Sequence, residues 1–81
     1  MDSSLIKRLI ETGIDGAEAR IDGDGRHFDA VVVSAVFEGR SVIAQHRLVY
    51  AALGTHFDDD ALHALSLRTY TPEQWRRLAP A

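Results

Sequence analysis

Leu5, Ile6, Leu9 and Ile10 recur at the spacing of one helical face, with Lys7, Arg8 and Glu11 on the other. Asp2, Ser3 or Ser4 can cap this helix, and Gly13 stands where it should stop. The period then changes. Ala17, Ala19 and Ile21 alternate with Glu18, Arg20 and Asp22, the pattern of a half-buried strand. "GDGRH" reads as a hairpin connection whose glycines suit positive φ. "FDAVVVSAVF" follows, rich in β-branched and aromatic residues. Phe28, Ala30, Val32, Ser34 and Val36 share one face, while Val31, Val33 and Ala35 share the other. Apolar character on both faces predicts the central strand.

Ser41 is a fair N-cap for the longest helix, predicted from Val42 to Leu53 with Gly54 just beyond its end. Val42, Val49 and Leu53 are expected on its buried side, with His46 at the boundary. "THFDDDA" can form a short helical turn starting near Thr55. His63 to Tyr70 alternates as a third strand. "TPEQW" then carries three start signals: Thr71 as cap, Pro72 at the first helical position, and Gln74 completing a capping box. The last helix should run from about Pro72 to Leu78. The order is helix, strand, strand, helix, short helix, strand, helix. Strands one and two form an antiparallel hairpin, and the helical crossover favours a third strand parallel to the second. The expected fold is α+β, with helices on one face of a three-stranded mixed sheet.

Composition narrows the functional classes. The chain has 81 residues, and residues 1–81 are read as a single domain. It contains no cysteine, which removes a disulfide framework and a zinc ribbon and fits a cytoplasmic address. The first residues alternate apolar with charged positions and do not resemble a signal peptide. Net charge is −3, opposite in sign to the basic surplus of a typical phosphate-backbone binder. A local basic face remains open, because Arg40, Arg47, Arg68, Arg76 and Arg77 all fall from the middle of the chain onward. No catalytic unit is recognisable. There is no cysteine nucleophile, no Ser–His–Asp arrangement and no glycine-rich phosphate loop before a helix.

Taken in order, "GDGRHF" before the β-branched strand, "FEGRS" after it, "QHRLVYAAL" on the following helix and "HALSLRTYTPEQW" resemble the BolA-like family. The resemblance covers about Leu5 to Trp75, and the terminal block is its most specific part. The short length and the "GDGRHF" loop are most similar to the IbaG branch. The resemblance implies the fold αββααβα, similar to a class II KH domain, in agreement with the order read from periodicity. It also implies a non-enzymatic partner of a monothiol glutaredoxin that shares a [2Fe-2S] cluster across the interface, in cluster delivery or repair, or in iron and stress sensing. In that pattern the histidine opening the third strand is a ligand, here His63, and a second ligand comes from the first hairpin loop, here His27. A glutaredoxin cysteine and glutathione supply the thiolates. Rieske centres show that one iron of such a cluster accepts two imidazoles. Two histidines alone cannot hold a cluster, so a cysteine-free chain would be an obligate half-site, binding none tightly in isolation.

The alternative function is a KH-like nucleic-acid-binding transcriptional regulator, with DNA as a partner. KH domains clamp a backbone with a GXXG loop. The matching place here reads "GTHF", Gly54 to Phe57, and lacks the second glycine. Other residues have plainer readings. A histidine at a strand edge is ordinarily a hydrogen-bonded rim residue, and one in a hairpin loop is ordinarily solvated. His46 reads as structural or partner-facing, and His56 as exposed. Arg47 and Arg68 are a candidate anion- or partner-binding patch, with solvated charge as the default. Asp58, Asp59 and Asp60 lack the spacing of a calcium loop and read as a solvated turn. Trp75 is expected to close the core rather than to anchor an interface.

Overall fold

The computed structural model describes residues 2–57 and 63–78. Helix α1 (Ser3–Gly13) begins at Asp2, whose carboxylate accepts the Ser4 N–H at 2.9 Å. It buries Ile6 and Ile10 completely. Strands β1 (Glu18–Gly23) and β2 (Phe28–Val33) pair antiparallel. Helix α2 (Val42–Leu53) is capped by Ser41, and Gly54 ends it at φ +63°. Strand β3 (Leu65–Tyr70) pairs parallel with β2, and helix α3 (Pro72–Leu78) closes the described chain. The sheet order is β1-β2-β3, so β2 is central as expected. No helix among the described residues is long and apolar enough to cross a membrane.

α1 and α2 cover one face of the sheet. Between them and the strands lie Ile6, Ile10, Ile14, Ala19, Phe28, Ala30, Val32, Phe37, Val49, Leu53 and Leu65. The even positions of β2 meet Ala19 and Ile21 from β1 and Leu65 and Leu67 from β3, the alternation that the sequence predicts. The other face carries Arg20, Val31 and Arg68, and Trp75 of α3 lies against Arg20 there.

Three local features depart from expectation. β2 ends at Val33 instead of continuing to Val36, and Ala35–Phe37 form a 3-10 turn. Ser34 causes the break: its hydroxyl donates to the Asp15 carbonyl at 2.9 Å and accepts the Val36 N–H at 3.1 Å. The turn swings Phe37 into full burial. β3 begins at Leu65, two residues after His63, which has helical backbone. The short helical turn expected beyond Thr55 falls largely on residues 58–62, outside the described residues.

The third concerns α2. Its buried stripe is Gln45, Val49 and Leu53, while Val42 is 62% exposed. Gln45 is 6% exposed, and its amide donates to the carbonyls of Phe37 at 3.1 Å and Arg40 at 2.9 Å. Its oxygen accepts the Thr69 hydroxyl at 2.6 Å. A buried amide is tolerated when every donor and acceptor is used, and this one ties the α2 entrance to β3. Gly13 ends α1 as expected, and packing needs it as well. A Cβ there would stand 2.7 Å from the Cβ of Ala52, so the glycine lets α1 and α2 approach.

Candidate functional site

The hairpin loop at residues 23–27 is held by one carboxylate. Asp24 Oδ1 accepts the backbone N–H of Arg26 at 2.8 Å and of His27 at 2.9 Å. The Asp24 N–H donates to the His27 carbonyl at 3.2 Å. These contacts, the His27 N–H first, hold the Asp24 carboxyl below the usual aspartate range. Gly25 supplies the turn at φ +93°. Gly23 lies so near the returning chain that a Cβ would meet the His27 carbonyl oxygen at 2.4 Å. The loop therefore fixes the His27 backbone and leaves its side chain exposed.

His63 reaches the same end of the sheet by another route. The Phe28 N–H donates to the Ala64 carbonyl at 2.8 Å, just ahead of the first β2–β3 pair, Phe28 with Leu65. His27 and His63 each stand one residue outside that bond. Neighbouring strands lie about 4.8 Å apart, so the two histidine backbones are separated by roughly that spacing plus the offset of the turn. Both residues are exposed. Parallel pairing thus brings to one end of the sheet two histidines that are 36 positions apart in the chain.

This donor set has a definite chemical capacity. It places two exposed imidazoles, each a possible nitrogen donor, at one end of the sheet. Among the described residues no three His, Cys, Asp or Glu side chains converge as a metal site. Two nitrogen donors do not complete a tetrahedral site, so a metal held here needs ligands from another molecule.

Other sequence candidates separate. His46 is half-buried on α2, and His56 is exposed with its ring 6.5 Å from that of Phe57. Gly54 of "GTHF" serves as the end of α2, its N–H donating to the Tyr50 carbonyl at 3.0 Å. Arg47 and Arg68 do not form one patch. Thr69 faces α2 through Gln45, so Arg68 points to the opposite face, in a row with Val31 and Arg20. Trp75 lies outside the core. It is half-buried against Tyr70 at 5.6 Å between ring centres, with the Arg20 guanidinium 5.4 Å from its own ring centre. Asp58, Asp59 and Asp60 are outside the described residues. Sequence reasoning missed Asp24 as the clamp of the loop. The signal was available, since aspartate between two glycines ahead of a polar pair favours an Asx turn.

The profile of the BolA-like protein family matches residues 11–74. Over 77 residues the chain is 31% identical to the acid stress protein IbaG of Escherichia coli K12, covering 95% of this chain and 92% of that one. It superimposes on a bolA protein homologue from Coxiella burnetii with a TM-score of 0.82 and 47% identity, covering 95% of this chain and 99% of the other. It also resembles the BolA domain of SufE1 from Arabidopsis thaliana, with a TM-score of 0.66 and 31% identity, covering 88% and 92% of the two chains.

Proposed function

Because this chain belongs to the BolA-like protein family, we propose that it works by binding: it partners a monothiol glutaredoxin and offers His27 and His63 to a [2Fe-2S] cluster shared between them. A cluster of this kind, when bound, supplies a one-electron centre whose potential rises when imidazoles replace thiolates. The chain's own part is to hold two nitrogen donors at one sheet edge. The observation that carries the reading is the Phe28 to Ala64 hydrogen bond, which fixes the loop bearing His27 beside the segment bearing His63. The Asp24 clamp adds preorganisation on the His27 side. The donor count favours a shared site, because the sulfur ligands must come from the glutaredoxin cysteine and glutathione. The same domain also occurs within a longer protein, SufE1, as fits a module that acts through partners.

The test is a mixing titration. A monothiol glutaredoxin, glutathione, ferrous iron and sulfide are combined with and without this chain, and visible absorption and circular dichroism are followed over time. The chain should change the spectrum of the glutaredoxin complex, and His63→Ala should remove that change or shorten the lifetime of the coloured species. An identical spectrum and lifetime with a His27→Ala/His63→Ala double variant would exclude both residues as ligands.

A further inference from the structure

The two edges of the sheet differ. On β1 the Ala19 N–H donates to Glu11 Oε2 at 3.0 Å, and the Ala19 carbonyl accepts from Lys7 Nζ at 2.7 Å. Two α1 side chains thus occupy backbone groups that a neighbouring strand would need, which blocks pairing there. β3 carries no such block among the described residues. The Phe28 N–H donates to the Ala64 carbonyl at 2.8 Å, and the Ser34 N–H to the Tyr70 carbonyl at 3.1 Å. Backbone groups alternate in direction along a strand, so the even-numbered residues of β3 bond to β2. Leu65, Leu67 and Thr69 turn their N–H and C=O groups outward. A solvent-open hollow of about 360 Å³ lies beside Thr69 and Tyr70, and Leu67 is only half-buried.

The charges beside this edge select the strand that fits it. On the face away from α1 and α2, Arg20, Val31 and Arg68 form one row across the sheet, and Asp22, Asp29 and Ser66 form the next. Arg20, Asp22, Asp29 and Arg68 are all exposed. At the β3 end of these rows, Asp29, Val31, Ser66 and Arg68 line one shallow hollow of about 130 Å³. A cationic row therefore lies next to an anionic one, and a half-turn exchanges them. When a second copy is laid antiparallel about a twofold axis at Leu67, Leu67 faces Leu67, Leu65 faces Thr69, and Ser66 faces Arg68. The outward backbone groups of the two strands then meet, and the cationic row of each copy runs into the anionic row of the other. Arg68 of one copy stands beside Ser66 of the second, with Asp29 next on β2. The small serine leaves the guanidinium room to reach that carboxylate, and symmetry makes the contact twice.

Other registers fit less well. A twofold at Arg68 opposes two guanidiniums directly, and like charges so placed are destabilising. One at Ser66 runs acidic row into acidic row. One at Thr69 sets Leu65 against α3, which begins at Pro72. We propose that β3 is a self-pairing edge: two copies of this chain join β3 to β3, antiparallel about Leu67, through backbone hydrogen bonds and Arg68–Asp29 contacts between copies. The inference takes nothing from the histidine reading, and its test uses neither iron nor glutaredoxin.

Sedimentation equilibrium of the full chain at low salt, from about 10 µM to about 1 mM, should show a monomer–dimer equilibrium, weak because one strand pair makes a small interface. Amide hydrogen exchange at Leu67 and Thr69 should slow as concentration rises, whereas the Ala19 amide, held by Glu11, should not respond. This measurement on the parent needs no variant. Arg68→Asp and Asp29→Arg each set like charges at both contacts, and each should weaken dimerisation at least about tenfold. Both positions are exposed, and circular dichroism verifies that the variants stay folded. Mixed in equal amounts, the two variants should associate again, because each mixed dimer holds opposite charges at both contacts. A chain that stays monomeric throughout the range would overturn the inference. So would a dimer indifferent to both variants, a mixture that associates no better than its components, or concentration-dependent protection away from Leu67 and Thr69.

Discussion

Replacing Gln45 by leucine separates two ways of reading α2. On burial alone, position 45 lies in the buried stripe with Val49 and Leu53, and leucine should improve the core. In the structure the amide makes three hydrogen bonds, to the carbonyls of Phe37 and Arg40 and from the Thr69 hydroxyl. A neutral intramolecular hydrogen bond contributes about 1 kcal/mol net, which sets an initial loss of about 3 kcal/mol. Two effects reduce it. The Phe37 carbonyl keeps the Arg40 N–H at 3.1 Å, and leucine adds apolar burial. The expected destabilisation is about 2 kcal/mol. For a domain of this size, with a urea m-value of about 1 kcal/mol/M, the midpoint should fall by about 2 M. The thermal midpoint should fall by about 8–16 °C. Combining the change with Thr69→Val removes the orphaned hydroxyl. The double variant should therefore lose about 1 kcal/mol less than the sum of the single changes. Urea unfolding followed by far-ultraviolet circular dichroism measures all four proteins. A Gln45→Leu variant as stable as the parent, or strictly additive with Thr69→Val, would refute the role given to the amide.

Three further expectations follow from the same contacts. Gly13→Ala should destabilise by about 1–2 kcal/mol although alanine is the better helix former, because its Cβ meets that of Ala52 at 2.7 Å; urea midpoints should show partial rescue by Ala52→Gly. Glu11 accepts the Ala19 N–H at 3.0 Å and the Lys7 ammonium at 2.8 Å, and these contacts lower its pKa from the ordinary value of 4.5. A depressed carboxylate stabilises the fold above its unfolded pKa, and the contribution is lost as pH falls through the folded one. The stability gap between the parent and Glu11→Gln should therefore be largest above about pH 4.5 and shrink in acid, as urea midpoints across pH 2–7 will show. Asp24→Ala should speed amide hydrogen exchange at Arg26 and His27 while leaving the exchange of β2 core amides unchanged, since the clamp is local to an exposed loop.

Much of this molecule was legible in the chain because short-range patterns carried it. The stripe of α1, the alternation of β1 and the reciprocal Thr71–Gln74 capping box, observed at 2.9 and 3.2 Å, depend on neighbours a few residues away. Three-dimensional packing decided what those patterns left undetermined. Val42 has the right period to be buried, yet it stands at a groove because none of the described elements crosses above the start of α2. Gln45 looks polar in a buried position until the carbonyls of Phe37 and Arg40 and the hydroxyl of Thr69 close around it. β2 yields at Ser34 because a carbonyl from the α1–β1 connection offers a better partner than continued extension. The histidines show the division most clearly. Residue types and order single out His27 and His63, but only a parallel register, fixed by side chains packing against α1 and α2, sets them at one edge. Periodicity records which face of an element is apolar. It does not record which distant face will meet it, and proximity across the sheet is made by that meeting.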